Sequence, residues 1–168
     1  MTTRVVGTHT IRTIIQHNVA VTTDNKIIKS FMNEKDFINE VKAMDAVQGC
    51  PHVAHYTELG PGYMVMPHYG PTLHELLRRG TLNRHWLPRI KANVRSALVC
   101  CEAAGVRHGD VWPRNVCVSN DTGLATLIDF GVVHTKKSID ETMAELDKQI
   151  QTYETLYGSL HQWVMLTN

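Results

Sequence analysis

The sequence predicts an α+β fold, with strands concentrated in the first half of the chain and helices in the second. Short runs rich in β-branched residues, separated by turn dipeptides, recur up to about residue 67. Stretches with apolar residues at spacings of three and four follow from about residue 72 onward. A length of 168 residues, with 43% hydrophobic and 20% charged residues, is ordinary for one folded domain. We therefore expect a single domain with a sheet-rich part and a helical part.

The first half is predicted to form an antiparallel sheet with one helix. HNVAVTT and KIIKSF flank the turn dipeptide Asp24-Asn25 and are expected to pair as a hairpin. A helix is expected from about Glu34 to Val47, because Asn33 can cap it and apolar residues recur along one face. HVAHYTEL and GYMVMPHY are expected as two further strands around the turn GPG.

The second half is predicted to be mainly helical. Thr72 and Glu75 form a capping box that opens a short helix, which Gly80 ends. A longer helix is expected within HWLPRIKANVRSALVCCEAAG, with its proline in the first turn. The short strands VCV and ATLIDF surround the turn NDTG, and a last helix is expected from Ser138 to Tyr157.

Charge and apolar patterning exclude several classes of function. The chain has 17 Lys+Arg against 16 Asp+Glu, so a specific nucleic-acid partner is not expected. No stretch approaches the roughly 20 apolar residues of a membrane span, and no membrane partner is expected. The four cysteines lack the spacing of a disulfide framework and are expected as reduced thiols. These features favour an intracellular, cytoplasmic protein.

The most informative segment is HGDVWPRN, from His108 to Asn115, which is followed by Asp129-Phe-Gly131. It resembles the catalytic loop and the metal-binding Asp-Phe-Gly of the protein kinase superfamily, in the His-Gly-Asp variant of its casein-kinase-1-like, vaccinia-related and aminoglycoside-kinase branches. The resemblance implies a bilobal kinase-like fold, with a small antiparallel-sheet lobe over residues 1–66 and a hinge and truncated helical lobe over 67–168. It also implies Mg²⁺ and ATP as cofactors and phosphoryl transfer to a Ser/Thr hydroxyl of a protein substrate.

Phosphoryl transfer explains the residue types in this segment. The reaction needs a carboxylate that orients the attacking hydroxyl and accepts its proton, and hard oxygen ligands for Mg²⁺. The resemblance gives the first role to Asp110 and the metal-binding role to Asn115 and Asp129. His108 is interpreted as a residue that supports the loop.

A phosphate clamp is implied in the first half of the chain by the same resemblance. Lys29, in KIIK, looks like the lysine that holds the α and β phosphates, and Glu40 looks like the helix glutamate that pairs with it. Lys26 is an alternative phosphate ligand, and a second interpretation makes both lysines solvated residues of a hairpin.

The segment YMVMPHYGPTL is similar to the hinge of the casein-kinase-1 and vaccinia-related groups. By that similarity Met66 is the gatekeeper, the carbonyl of Pro67 accepts from the adenine amine, and the amide of Tyr69 donates to the ring. Cys117 would form part of the apolar floor under the adenine.

Several residues depart from the family's pattern. Gly7 stands alone where the family has several glycines over the phosphates. Trp112 occupies the position of a lysine that supports the γ phosphate, and Arg114 is expected to supply that charge. Gly109 replaces an arginine that receives an activation-loop phosphate, and the stretch after Gly131 has no Ala-Pro-Glu motif.

Two other functions fit the same residues. A catalytically weak pseudokinase would act as a binding or regulatory module, either as a mimic of a host kinase or as a subunit of a complex. That interpretation rests on a resemblance to truncated viral kinase mimics and to the small kinase subunit of the tRNA threonylcarbamoyladenosine complex. A small-molecule phosphotransferase would share the His-Gly-Asp loop. The small size suggests a viral or other compact-genome source, and a host cell as the location in the viral case.

The last predicted helix carries an apolar seam, formed by Ile139, Met143, Leu146, Ile150, Tyr153 and Tyr157. We expect the seam to pack on its own domain, with a homodimer or partner contact through residues 138–157 as the alternative. Cys50, His52 and His55 form the closest cluster of zinc-ligand types, without a second ligand pair of recognisable spacing.

Overall fold

A computed structural model describes residues 5–133 and 135–166 of the chain. In the first half, the strands are β1 (Val5–Val6), β2 (His9–Gln16), β3 (Val19–Thr22), β4 (Lys26–Ser30), β5 (Glu58–Gly60) and β6 (Tyr63–Pro67), with helix α1 (Glu34–Ala46) between β4 and β5. The second half contains α2 (Leu73–Arg79), α3 (Leu87–Ala103), β7 (Val116–Val118), β8 (Ala125–Leu127) and α4 (Ile139–Leu166). The predicted α+β organisation is confirmed.

The first six strands form one antiparallel sheet in the order β1-β2-β3-β4-β6-β5. The hairpin predicted around Asp24-Asn25 is confirmed, because β3 and β4 pair on either side of it and Asn25 adopts a φ of 61°. Strand β4 lies between β3 and β6, so that Lys29 has Val19 as its partner on one side and Met64 on the other. Pairing on both sides therefore fixes the position of Lys29 along the sheet.

The sheet is strongly curled, so that its two ends approach each other. Nε2 of His9, at the start of β2, lies 3.1 Å from a carboxylate oxygen of Glu58 in β5. Gly7, in the turn between β1 and β2, packs against the Tyr63 hydroxyl of β6, and a Cβ at Gly7 would lie only 2.2 Å from that oxygen. Because Gly7 also has a φ of +58°, a side chain at this position would be strained and would require Tyr63 to shift.

The helix caps follow the sequence signals closely. Asn33 caps α1 by accepting from the backbone N–H of Asp36 at 2.8 Å. Thr72 and Glu75 form the expected capping box of α2, which ends at Gly80 with a φ of 66°. These caps depend on residues within one turn of each other, which is why the sequence alone predicts them.

Helix α4 packs against the chain itself and is longer than predicted. Met143, Leu146 and Ile150 of the predicted seam are buried in the core between α4 and the elements α2 and α3. The seam is therefore used within the chain, as expected. The helix does not end at Gly158 but continues to Leu166, because a glycine in a helix interior costs only about 1 kcal/mol and does not by itself end the helix.

The segment after α1 joins the sheet-rich part to the helical part. The backbone N–H of Ala54 donates to the carbonyl of Leu127 at 2.9 Å, and the N–H of Leu127 donates to the carbonyl of His52 at 2.8 Å. Val53 thereby forms a parallel bridge with Leu127, although a longer strand was predicted here. The buried core continues through this junction from Met44 of α1 to α2, α3 and α4.

The prediction that all four cysteines are reduced is wrong for two of them. Cys50, just after α1, and Cys100, in α3, form a disulfide with a Cα–Cα distance of 5.7 Å. Cys101 and Cys117 are free and buried. The bridge joins residues 50 positions apart, and only the docking of the segment after α1 brings them together.

The alternative of a zinc site at Cys50, His52 and His55 is not supported by the described residues. Cys50 is consumed by the disulfide, and no group of three or more metal-ligating side chains is found in residues 5–133 and 135–166. None of the helices within these ranges is long and apolar enough to cross a membrane.

Candidate active site

The loop that begins at His108 is held by a buried, neutral imidazole. Nε2 of His108 donates to the carbonyl of Ile128 at 3.0 Å, and its Nδ1 accepts from the backbone N–H of Asp110 at 3.2 Å. Its ring packs edge-on against Phe130, with centroids 4.8 Å apart. Burial lowers the pKa of His108 below its ordinary value, although nearby groups oppose the shift. His108 thus ties the loop to the strand that leads to Asp129, the supporting role expected from the sequence.

The carboxylate of Asp110 is fixed by two residues of the turn that follows it. Nδ2 of Asn115 donates to both the backbone carbonyl and Oδ2 of Asp110 at 2.8 Å. Nη2 of Arg114 lies 3.1 Å from Oδ1 and 3.0 Å from Oδ2 of the same carboxylate. The 3₁₀ turn Pro113–Asn115 makes these contacts possible, because it returns the chain toward Asp110. The structure thus brings the three predicted residues of this loop together.

Asp129 adopts a backbone conformation that is unusual for a residue with a side chain. Its φ is +66°, in the left-handed region, which costs roughly 1 kcal/mol or more and is typical of functional sites. The side chain accepts from the backbone N–H of Gly131 at 3.3 Å, and the next residue, Phe130, is fully buried. Phe130 therefore anchors the strained turn, and 44% of the Asp129 side chain stays exposed.

One ammonium group connects the sheet, α1 and this turn. Nζ of Lys29 lies 2.8 Å and 2.7 Å from the carboxylate oxygens of Glu40 and 2.9 Å from Oδ1 of Asp129. The clamp predicted between Lys29 and Glu40 is therefore formed as a contact, and it extends to Asp129. Lys26 lies elsewhere, with its ammonium 2.8 Å from Asp24.

Burial and mutual attraction oppose each other in this cluster. Glu40 is only 3% exposed, and burial raises the pKa of its carboxyl above the ordinary value although Lys29 offsets part of that effect. Burial also acts against the charge of Lys29, but Glu40 and Asp129 outweigh it and raise the Lys29 pKa. For Asp129 burial again opposes ionisation, and the Lys29 ammonium outweighs it, so that the Asp129 pKa is lowered. The contacts therefore favour the charged forms of Lys29 and Asp129, while burial acts against the charge of Glu40.

The predicted hinge follows β6 and passes close to β7. Met66 and Pro67 end β6, where they pair with Ile27 and Lys26 of β4. Tyr69, two residues later, is half-buried, and its hydroxyl accepts from the backbone N–H of His55 at 3.2 Å.

The segment that follows Tyr69 runs directly beside Cys117. Thr72 and Cys117 form an antiparallel bridge, so the structure places this thiol beside the segment that follows the predicted hinge. Gly70 makes the approach possible: its φ is +101°, and a Cβ there would lie 2.4 Å from the carbonyl oxygen of Val118. Burial raises the pKa of the Cys117 thiol to about 12.

The turn nearest to Lys29 differs from the one that the sequence suggested. Val19 is the register partner of Lys29, and the carbonyl of Asn18 accepts from the N–H of Ser30 at 2.8 Å. The turn beside Lys29 is therefore His17-Asn18, between β2 and β3, and it contains no glycine. The interpretation of Gly7 as the remnant of a glycine-rich turn over the phosphates is wrong, because Gly7 lies one hairpin earlier and packs on Tyr63.

Trp112 is an exposed aromatic residue beside Asp110. It is 37% exposed, and the guanidinium carbon of Arg114 lies 5.4 Å from its ring centroid. Arg114 therefore contacts both the ring and the Asp110 carboxylate. The sequence singled out both residues but did not predict this stacking.

Comparison with known proteins identifies the family. The family model for protein tyrosine and serine/threonine kinases matches residues 5–153, which is most of the chain. The chain belongs to the protein kinase family. The kinase-like α+β fold expected from the HGDVWPRN and Asp-Phe-Gly motifs is thereby confirmed.

Individual relatives of this kinase-family chain are distant and much longer. The serine/threonine-protein kinase PknK of Mycobacterium tuberculosis is 31% identical over 107 residues, which are 60% of this chain and 10% of PknK. A probable serine/threonine-protein kinase of Clostridium perfringens is 29% identical over 127 residues, 70% of this chain and 18% of its own length. The serine/threonine-protein kinase csk1 of Schizosaccharomyces pombe is 35% identical over 75 residues, 42% of this chain and 24% of csk1.

Proposed function

We propose that this protein transfers the γ phosphate of ATP to a serine or threonine hydroxyl of a protein, with Mg²⁺ as the second cofactor. One observation carries the proposal: a single ammonium group, that of Lys29, lies within 2.9 Å of both Glu40 and Asp129. The contact joins β4 and α1 of the sheet-rich part to the Asp-Phe-Gly turn of the helical part. Three of the residues implied by the kinase resemblance are therefore in contact with one another, which supports the proposal.

Asp129 and Asn115 fit a Mg²⁺ ion by their chemistry. Both described hydrogen bonds of the Asn115 side chain use its Nδ2, which leaves the amide oxygen Oδ1 as a ligand atom. Asp129 adds an ionised carboxylate that is half exposed. Such hard oxygen atoms are the ligands that Mg²⁺ prefers. When bound, the ion would neutralise negative charge on the phosphate oxygens.

In the proposed mechanism Asp110 orients the acceptor hydroxyl and takes its proton. The hydroxyl oxygen forms the new bond to the γ phosphorus, the bond from that phosphorus to the β–γ bridging oxygen breaks, and ADP leaves. Asn115 and Arg114 hold the Asp110 carboxylate in place, and Arg114 brings a positive charge beside the reacting phosphoryl group. Lys29, positioned by Glu40, would bind the phosphates of ATP.

The adenine base is proposed to bind at the hinge. The carbonyl of Pro67 would accept from the adenine amine, and the backbone N–H of Tyr69 would donate to the ring. Proline is tolerated at the first position because only its carbonyl is used. Met66 would close the back of this site, and Cys117, which is buried beside the hinge, would form its floor.

The experiment that tests this proposal compares three single variants. Asp110→Asn and Asp129→Asn are expected to abolish transfer of labelled γ phosphate to a mixture of protein acceptors and to remain folded. Asp140→Asn is the matched control, because Asp140 lies at the start of α4 and is paired with Arg95, away from the site. Full transfer by the Asp110→Asn variant would contradict the proposed mechanism.

A catalytically weak binding module is the second candidate, favoured by Trp112 and by the glycine-free turn His17-Asn18. Thermal melting with Mg²⁺-ATP separates the two candidates, because a ligand at 100 times its Kd stabilises the folded state by about 2.7 kcal/mol. An active kinase is expected to melt at a higher temperature with Mg²⁺-ATP. An unchanged melting temperature favours the binding module. Aminoglycosides offered as acceptors in the same transfer assay test the small-molecule alternative.

A further inference from the structure

We propose that the Cys50–Cys100 bond is a thiol–disulfide exchange site, at which a small-molecule thiol of the glutathione class controls the position of α1 and of Glu40. The bond joins the segment that directly follows α1 to helix α3. The inference concerns the mobility of α1, and its effect on ATP binding rests on the function proposed above.

Exchange chemistry is confined to this pair by the environment of the other cysteines. Cys50 and Cys100 are both partly exposed residues, so the bond lies closer to the surface than the two buried cysteines do. Cys101 and Cys117 are buried, and burial raises the pKa of the Cys101 thiol to about 11 and that of Cys117 to about 12. A thiol must be deprotonated to attack a disulfide. The Cys101 thiol is therefore expected to attack the Cys50–Cys100 disulfide poorly, although Cys101 is adjacent to Cys100 in sequence.

Helix α1 has few other attachments to the rest of the protein. Of its 13 residues only Glu40, Ala43 and Met44 are buried, and Val47, its C-terminal cap, is buried just beyond them. An element with so few buried contacts belongs to the part of a protein that opens first. The disulfide adds a covalent restraint at the C-terminal end of such a helix.

The restraint acts on the site because α1 carries Glu40. The carboxylate of Glu40 meets the Lys29 ammonium at 2.7 Å, and Lys29 in turn contacts Asp129. When the bond is broken, α1 remains attached through the backbone bonds of residues 52–54 to Leu127 and through its buried side chains. We expect α1 to move more in that state, so that Glu40 holds Lys29 less constantly.

The exchange is balanced when two molecules of the small thiol are counted. A thiolate attacks one sulfur of the bond, the other cysteine leaves as a thiolate and takes a proton, and a mixed disulfide remains. A second thiol attacks the mixed disulfide and releases the second cysteine. The protein gains two electrons and two protons as two thiols, and the small thiol is oxidised to its own disulfide.

The test uses the full chain, air-oxidised or equilibrated with reduced glutathione. Free thiols are trapped by iodoacetamide under native conditions and located by mass spectrometry. Cys50 and Cys100 are expected to become alkylated together, and Cys101 and Cys117 to stay unmodified until the protein is denatured. A fully reduced Cys50–Cys100 pair in the air-oxidised protein, or alkylation of Cys101 at the same rate, would overturn the proposal.

Hydrogen exchange then measures the effect on α1 without any need for nucleotide. In reduced protein the amides of residues 41–47 are expected to exchange at least about fivefold faster, the lower end of ordinary coupling between sites. Amides of residues 90–98 in α3 serve as the internal reference. The Cys100→Ser variant is expected to show the fast α1 exchange of the reduced protein, with no change when glutathione is added. The Cys101→Ala variant is expected to show the same glutathione-dependent change in α1 exchange as the unmodified protein. Equal exchange of α1 in both redox states would refute the inference.

Affinity for Mg²⁺-ATP is measured separately, so that the two proposals fail independently. We expect reduction to weaken binding at least about fivefold. If neither redox state binds nucleotide, the proposed function is wrong and hydrogen exchange still decides the role of the bond. If both states bind equally while α1 exchange differs, the link from α1 to the phosphate clamp is overturned.

Discussion

Replacement of Lys29 by methionine tests whether the ammonium group holds the two halves of the site together. Methionine keeps the length and apolar part of the side chain but removes the charge that contacts Glu40 at 2.7 Å and Asp129 at 2.9 Å. The variant leaves the Glu40 carboxylate buried, at 3% exposure, without its cation. Asp129 is half exposed and loses less, because water solvates it.

The size of the effect follows from the burial of Glu40. Removing one partner of a buried ion pair costs about 3–5 kcal/mol, because the remaining charge is uncompensated. For a chain of this size each kcal/mol corresponds to about 2–4 °C in melting temperature, so Lys29→Met is expected to melt roughly 6–20 °C lower. Because Lys29 itself is 13% exposed, we expect the lower part of that range.

The pH dependence of the variant identifies the source of the loss. Burial already raises the pKa of Glu40 above its ordinary value of 4.5, and loss of the ammonium raises it further. The folded state then binds a proton more tightly than the unfolded state does. The stability deficit of Lys29→Met should therefore shrink as the pH falls from 7 toward 5.

Urea denaturation at pH 7.5 and pH 5 measures these effects, with two further variants. Lys29→Met/Glu40→Gln is expected to regain most of the stability at pH 7.5, because the buried charge is gone, but not the affinity for Mg²⁺-ATP. Lys26→Met is the matched control, since Lys26 pairs with Asp24 at the exposed surface, and no measurable change is expected. The reasoning is refuted if Lys29→Met is as stable as Lys26→Met, or if the double variant is no more stable than Lys29→Met.

Three further predictions concern the residues that support the site. Burial lowers the His108 pKa, so below about pH 6.5 the unfolded state binds more protons than the folded state does. The free energy of unfolding should therefore decrease by up to about 1.4 kcal/mol for each pH unit below that point. His108→Asn should flatten that slope in melts between pH 6.5 and 5, and an unchanged slope would contradict it. Gly70→Ala should lose more stability in urea than Gly105→Ala. Both glycines have a positive φ, but of the two only a Cβ at Gly70 would meet a backbone oxygen, at 2.4 Å. Equal losses of stability would exclude this close approach as the cause. Leu146→Ala should cost about 2–5 kcal/mol in urea, since Leu146 is fully buried, and a loss below about 1 kcal/mol would show that α4 is not part of the core.

Features that depend on neighbouring residues in the chain were predictable from the sequence. The caps at Asn33 and Thr72 involve residues three positions apart, and both form as expected. The turn from Asp110 to Asn115 is equally local, and the roles of its residues were implied by the resemblance to the kinase catalytic loop. The pairing of Lys29 with Glu40 spans 11 residues, and it was inferred from the family resemblance.

Features that depend on docking of distant segments were not predictable. The Cys50–Cys100 bond forms because the segment after α1 binds the strand β8, and nothing in the cysteine spacing indicates that contact. The turn beside Lys29 was misassigned for a related reason. In the structure the hairpin next to the Lys29 strand turns at His17-Asn18. The strand before that turn, which contains Ile14 and Ile15, has no clear alternation of polar and apolar residues, so its end was not recognised from the sequence.

The contacts of Asp129 suggest why the site can be assembled in advance of cation binding. Its Oδ1 accepts from Lys29 and from the backbone N–H of Gly131, and its strained φ of +66° is maintained by the buried Phe130. Phe130 packs on His108, which in turn accepts from the backbone N–H of Asp110. The proposed metal ligand and the proposed base are therefore linked through two buried rings rather than through each other. Lys29 contacts Oδ1 of Asp129 and lowers the pKa of its carboxyl, so a cation would meet a carboxylate that is already charged and already oriented.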